Sequence, residues 1–104
     1  MQAENAKKVS TTEQIISVFV PLFKKNNIKN AYLFGSFAKG TEREESDIDL
    51  LVESDLEGFA FLSFVQELED AAGRSVDCFD VRHIVNGSRF ENEIRESGVL
   101  LYAN

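Results

Sequence analysis

The sequence predicts an α+β domain, a small β-sheet packed by helices, and two kinds of periodicity carry the prediction. Apolar side chains recur at helical spacing around Ile15–Phe23 and again around Phe61–Ala72. Between and after these stretches lie short apolar runs, Ala31–Phe34, Asp47–Val52 and Ser75–Phe79, whose β-branched and aromatic content suits strands.

Taken in order, Met1 to Val9 is polar and aperiodic and reads as a flexible arm (residues 1–9) ahead of a single domain (residues 10–104). Ser10-x-x-Glu13 and Thr11-x-x-Gln14 both match a capping box, so a helix is expected over about Thr12 to Lys25. Ile15, Ile16, Phe19, Leu22 and Phe23 form its apolar face. Pro21 removes the hydrogen bond back to Ser17 and should bend or shorten it, with Asn26-Asn27 as exit. The strand Ala31–Phe34 stops at Gly35, which permits a tight turn, and Ser36 opens a short helical turn. A strand follows over Asp47–Val52. A second helix runs from about Phe59, after Gly58, to Ala72, before Gly73, with Phe61, Leu62, Phe64, Val65, Leu68, Ala71 and Ala72 on its apolar face. RSVDCF reads as a further strand, Ser88–Ser97 as a more polar helix ended by Gly98, and Val99–Tyr102 as a final strand or docking segment.

The chemistry concentrates in LFGSFAKGTEREESDIDLLVE, where Gly35-Ser36 and Asp47-Ile48-Asp49 are separated by ten residues. Alternate strand side chains share a face, so Asp47 and Asp49 project together while Ile48, Leu50 and Val52 turn toward the core. Two carboxylates roughly 7 Å apart repel unless a positive charge lies between them. Magnesium meets that need, since it takes oxygen ligands and is usually held by one or two carboxylates together with substrate phosphates. Gly35 allows a ligand close to the backbone, and Ser36 offers a hydroxyl and an N–H to an anion. Lys39 and Arg43, in the spacer, are each as readily phosphate ligands as solvated counter-charges.

Composition limits the partners. A chain of 104 residues with 43% hydrophobic residues and nine Phe builds one small aromatic-rich core, without room for a second acceptor-binding domain. Net charge is −7, and Glu42 to Glu57 holds eight acidic residues against Arg43 alone. That surface repels a nucleic-acid backbone, so direct nucleic-acid binding is not expected. The single cysteine, Cys78, reads as a packed small hydrophobe, and the single histidine, His83, as a loop residue that leaves no basis for a His-rich metal site. Neither a signal peptide nor a membrane span is apparent, and a cytoplasmic protein is expected.

From about Ile15 to Tyr102 the chain resembles the minimal nucleotidyltransferase family of the DNA polymerase β-like superfamily, on LFGSFAKG, the ten-residue spacer and SDIDLLVE. The resemblance implies the polymerase β-like nucleotidyltransferase fold, a small mixed β-sheet packed by helices. It implies a third metal-facing carboxylate on the later strand, which falls on Asp77, with Asp80 as the competing candidate. Alternation puts Asp77 and Phe79 on one face and Val76, Cys78 and Asp80 on the other. Lys39 stands where family members often carry Arg, a point charge in place of a bidentate fork. The resemblance further implies ATP as substrate, two magnesium ions, and transfer of AMP to a tyrosine hydroxyl of a helical HEPN-type toxin, with this chain as antitoxin. A catalytically silent antitoxin acting by contact and a transferase acting on a small molecule are the alternatives.

Overall fold

The structure is a computed structural model that describes residues 9–40, 46–83, 92, 94 and 96–104. Helix α1 spans Thr12–Lys25. Of the two candidate caps the chain uses Thr11: its Oγ1 accepts from the Gln14 amide, and Gln14 Oε1 accepts from the Ser10 and Thr11 amides. The helix runs through Pro21 to Lys25 without being shortened, because Pro21 lies on the exposed side while Ile15, Phe19 and Phe23 are fully buried. Ile16, expected on the apolar face, stays exposed.

Strand β1 (Asn30–Phe34) leads directly into α2 (Gly35–Lys39), and β2 follows over Ile48–Glu53. Helix α3 spans Phe59–Ala72, β3 spans Val76–Asp80 with a 3-10 turn at Val81–His83, and β4 spans Val99–Ala103. Gly73, at φ 68°, ends α3 by donating to the Glu69 carbonyl. The strands form one mixed sheet in the order β3-β2-β1-β4. The pairs β1–β2 and β1–β4 are antiparallel, and β2–β3 is parallel, joined by the α3 crossover. The carboxy-terminal apolar run is thus an edge strand, with a bulge that turns Leu101 into the core.

Helices α1 and α3 cover one face of the sheet. Ile48, Leu50 and Val52 of β2, Ala31 and Leu33 of β1 and Val76 of β3 pack there against Phe19, Phe23, Phe64 and Leu68. The ring of Phe23 is the hub of an aromatic cluster, with the rings of Phe19, Phe64 and Tyr102 at centroid distances of 5.6–6.1 Å from it. The α3 face is narrower than its sequence suggests: Phe64, Leu68 and Ala72 are buried, but Leu62 is 62% and Phe59 87% exposed. Both lie on the first turn and are left largely uncovered by the described residues.

Val9, read as the end of a flexible arm, is instead docked: it is buried, its N–H donates to the Ala72 carbonyl, and its own carbonyl accepts from Arg74. Residues 1–8 lie outside the described residues, as does most of the expected helix Ser88–Ser97. Within that helix Asn92, Ile94, Glu96 and Ser97 are helical, and Gly98 closes it with a bond to the Ile94 carbonyl. Among the described residues no helix is long and apolar enough to cross a membrane.

Candidate active site

The face of the sheet opposite the helices carries the acidic residues. Asp47 is exposed and immediately precedes β2, one residue before the strand starts, and Asp49 is the second residue of β2. In the parallel β2–β3 pair Asp49 stands beside Asp77. Paired residues of neighbouring strands project to the same side, so Asp77 joins Asp49 on the open face, where it is exposed.

Asp80, the competing candidate, points the other way and is committed elsewhere. It is 1% exposed, and its carboxylate accepts from Ser54 Oγ at 2.9 Å, from the Arg82 amide at 2.9 Å and from the Arg82 guanidinium at 3.0–3.1 Å. Burial pushes this carboxyl up, but the hydrogen bonds from the Arg82 side chain and amide and from Ser54 outweigh it and hold the carboxyl below its usual range. The same bonds raise Arg82 in turn. Cys78 lies on the same side of β3 as Val76 and Asp80 and packs against the core; burial, and secondarily the Asp80 charge, push its thiol up to about 12.

Gly35 closes the site from the β1 side. Phe34 pairs with Asp49 across β1–β2, so Gly35 turns the chain just beyond the Asp49 carboxylate. Its φ is +74°, and a Cβ built there would overlap Asp49 Oδ2 and come within 3.1 Å of Asp49 Cγ. Glycine is therefore required twice, for the left-handed turn and for the space. Ser36, half-buried, follows in the first turn of α2. Phe37 anchors that short helix in the core, and Lys39 is exposed at its end before the left-handed Gly40. Arg43 lies outside the described residues.

Phe34 and Phe79, with ring centroids 6.2 Å apart, form an apolar floor beside the acidic residues. Among the described residues no group of three or more Asp, Glu, His or Cys side chains is arranged to hold a metal ion by itself. The register aligns Asp49 with Asp77, and Asp47 immediately precedes β2, so the donors offered here are oxygen only. That chemistry fits magnesium, which keeps several waters and completes its shell with substrate phosphates.

Arg74, which the sequence reading treats only as the first residue of a strand, is the side chain that ties this region together. From the turn between α3 and β3 its Nε donates to the Val9 carbonyl at 2.6 Å and its NH1 to the Ser46 carbonyl at 3.1 Å, while the guanidinium lies 5.2 Å from the Phe37 ring centroid. The available signal was a lone Arg directly after a helix-ending glycine.

Residues 13–104 match the family described as polymerase beta, nucleotidyltransferase. Two similar proteins of Methanocaldococcus jannaschii are described as protein adenylyltransferases. One is 43% identical over 61 residues, covering 56% of this chain and 64% of its own length. The other is 34% identical over 85 residues, covering 77% of this chain and 85% of its own length. Among solved structures, a toxin–antitoxin with AMP-PNP superposes with a TM-score of 0.74 at 27% identity, over 86% of this chain and 73% of that one. A tri-AMPylated Shewanella oneidensis HEPN toxin in complex with its MNT antitoxin gives 0.69 at 22% identity, over 90% and 74%, a likeness of fold.

Proposed function

Because the chain belongs to the polymerase beta nucleotidyltransferase family, matched over residues 13–104, we propose that it transfers AMP from ATP to a protein hydroxyl, a tyrosine of a helical HEPN-type toxin, and so acts as the antitoxin of the pair. The observation that carries this reading is the pairing of Asp49 with Asp77 across β2–β3, on the face where Gly35 is packed against Asp49. The adenylyltransferase relatives and the toxin–antitoxin structures, one with an ATP analogue and one with an AMPylated toxin, support the donor and the acceptor class.

In this reading Asp47, Asp49 and Asp77 would hold magnesium, two ions as in two-metal phosphoryl-transfer sites, which would supply positive charge to the phosphoryl oxygens. The triphosphate approaches the Gly35-Ser36 turn, where the absent Cβ leaves the backbone accessible. Ser36 donates to it through its hydroxyl and amide, and Lys39 and Arg43 supply positive charge toward the β- and γ-phosphates. Asp77, exposed at the edge of the acidic face, takes the proton of the acceptor hydroxyl as general base. The acceptor oxygen bonds to the α-phosphorus as the bond to pyrophosphate breaks.

The direct test is to incubate the chain with ATP, magnesium and the protein encoded beside it, then measure intact mass. Addition of AMP to the neighbour is expected. An unmodified neighbour under conditions that keep both proteins folded and bound would refute the enzymatic reading.

A further inference from the structure

We propose that Arg74 is a positioning residue for the carboxylate pair, holding the backbone around Asp47 in place relative to the Gly35-Ser36 turn. The α3–β3 turn grips the chain on both sides of Asp47. On one side Arg74 NH1 donates to the Ser46 carbonyl at 3.1 Å; on the other the Ile48 amide donates to the Ser75 carbonyl at 3.0 Å. Asp47 is thus suspended between two backbone groups that consecutive residues of one turn secure.

The same guanidinium faces the ring of Phe37, the residue after Ser36, at a distance where a cation is attracted to an aromatic face. Phe37 is buried and belongs to the five-residue helix that the Gly35 turn opens. One planar side chain therefore fixes two parts of the site that are distant in sequence, the turn at one end of the spacer and the carboxylate segment at the other. Its Nε adds a third anchor, the Val9 carbonyl, which seats the guanidinium so that the other two contacts are made without further loss of freedom.

The turn is itself held. Gly73 adopts the left-handed conformation that ends α3, and the Val76 amide donates to Glu69 Oε2 at 3.0 Å, fixing where β3 begins and hence where Asp77 stands beside Asp49. A displacement of Arg74 would move Asp47 relative to both. Shifts of about 1 Å in a reacting constellation cost about a hundredfold in rate, so the anchor matters beyond its contribution to folding.

Arg74→Lys and Arg74→Met test this. Lysine retains the charge but cannot bridge two carbonyls while stacked on a ring; methionine retains only the stem. The first readout needs neither ligand nor activity: hydrogen exchange at the Ile48 amide. It should become about tenfold faster in Arg74→Lys, while the central β1 amides keep their protection. The second readout is calorimetric binding of Mn2+ with AMP-PNP, which should weaken severalfold in the same variant. Exchange at Ile48 within about twofold of wild type, or acceleration spread equally over β1, would overturn the proposal. So would accelerated exchange with unchanged Mn2+ and AMP-PNP binding, the signature of a merely structural residue. The binding arm rests on the transferase reading. If the wild type itself binds no Mn2+ and AMP-PNP, that reading fails, and the exchange at Ile48 then decides only whether Arg74 secures the backbone around Asp47.

Discussion

Asp77 and Asp80 are three residues apart on one strand and do opposite work. Asp77 is exposed beside Asp49, so removing its charge relieves repulsion and costs no packing. Asp77→Asn should abolish AMP transfer, measured by intact mass, without lowering the melting temperature. Asp80→Ala should do the reverse: it leaves the Ser54 hydroxyl and the Arg82 amide without their acceptor, at about 1–3 kcal/mol each where such groups are buried. The melting temperature should fall while turnover of the folded fraction is retained. The pH dependence follows from the depressed carboxyl of Asp80. A folded-state value below the unfolded value of about 4 contributes stability that is complete above about pH 4 and lost as pH falls through the folded value. The gap in melting temperature between wild type and Asp80→Ala should therefore narrow on acidification from about pH 6 to about pH 2. A gap that widens would contradict the assignment. Gly35 allows an equally sharp test. Gly35→Ala puts a methyl group into Asp49 and a side chain at positive φ. The backbone strain costs about 1 kcal/mol, but transfer by the folded protein should fall by about a hundredfold, because Asp49 must move.

At the scale of elements, the helices show how burial overrides local preference. Pro21 lies inside α1, yet the helix persists because Phe19 and Phe23 on either side of it are locked into the core. Proline costs an exposed helix interior about 3 kcal/mol relative to alanine, partly offset by its restriction of the unfolded chain. Pro21→Ala should therefore raise the melting temperature by several degrees with transfer unchanged; a lowered value would mean that Pro21 itself contributes to packing. A second link holds the end of α1 to α3: Glu67 accepts from Lys25 and from the Asn26 amide group, and the Lys25 bond foremost keeps the Glu67 carboxyl below its usual range. Glu67 is only half-buried on α3. It is polar, but its role is to join the two helices.

Over the whole molecule, the two faces of the sheet divide the labour. The helix-covered face holds the core, and the opposite face holds the carboxylates, which add little to stability. Catalysis and partner binding should therefore separate. Asp49→Asn should still co-purify with the neighbouring protein yet leave it unmodified, since the charge developing on the phosphoryl oxygens is no longer offset. Cells producing both proteins should lose most of their protection. Full protection by a variant shown to be incapable of transfer would instead support neutralisation by contact.

The elements and the facing of their side chains were legible in the sequence, because alternation along a strand and periodicity around a helix are properties of a single segment. The spans of α1 and α3 and the inward turn of Ile48, Leu50 and Val52 follow from that local geometry. Which carboxylate stands next to Asp49 did not follow, since register is a choice between strands joined through a helix, and one residue of slip would have exchanged Asp77 for Cys78. The burial of Asp80, the docking of Val9 and the reach of Arg74 to Ser46 and Phe37 were decided in the same way, by tertiary structure. A polar side chain far from its partners in sequence carries no periodic signal of whom it will meet, and only the folded chain brings donor and acceptor within hydrogen-bonding distance.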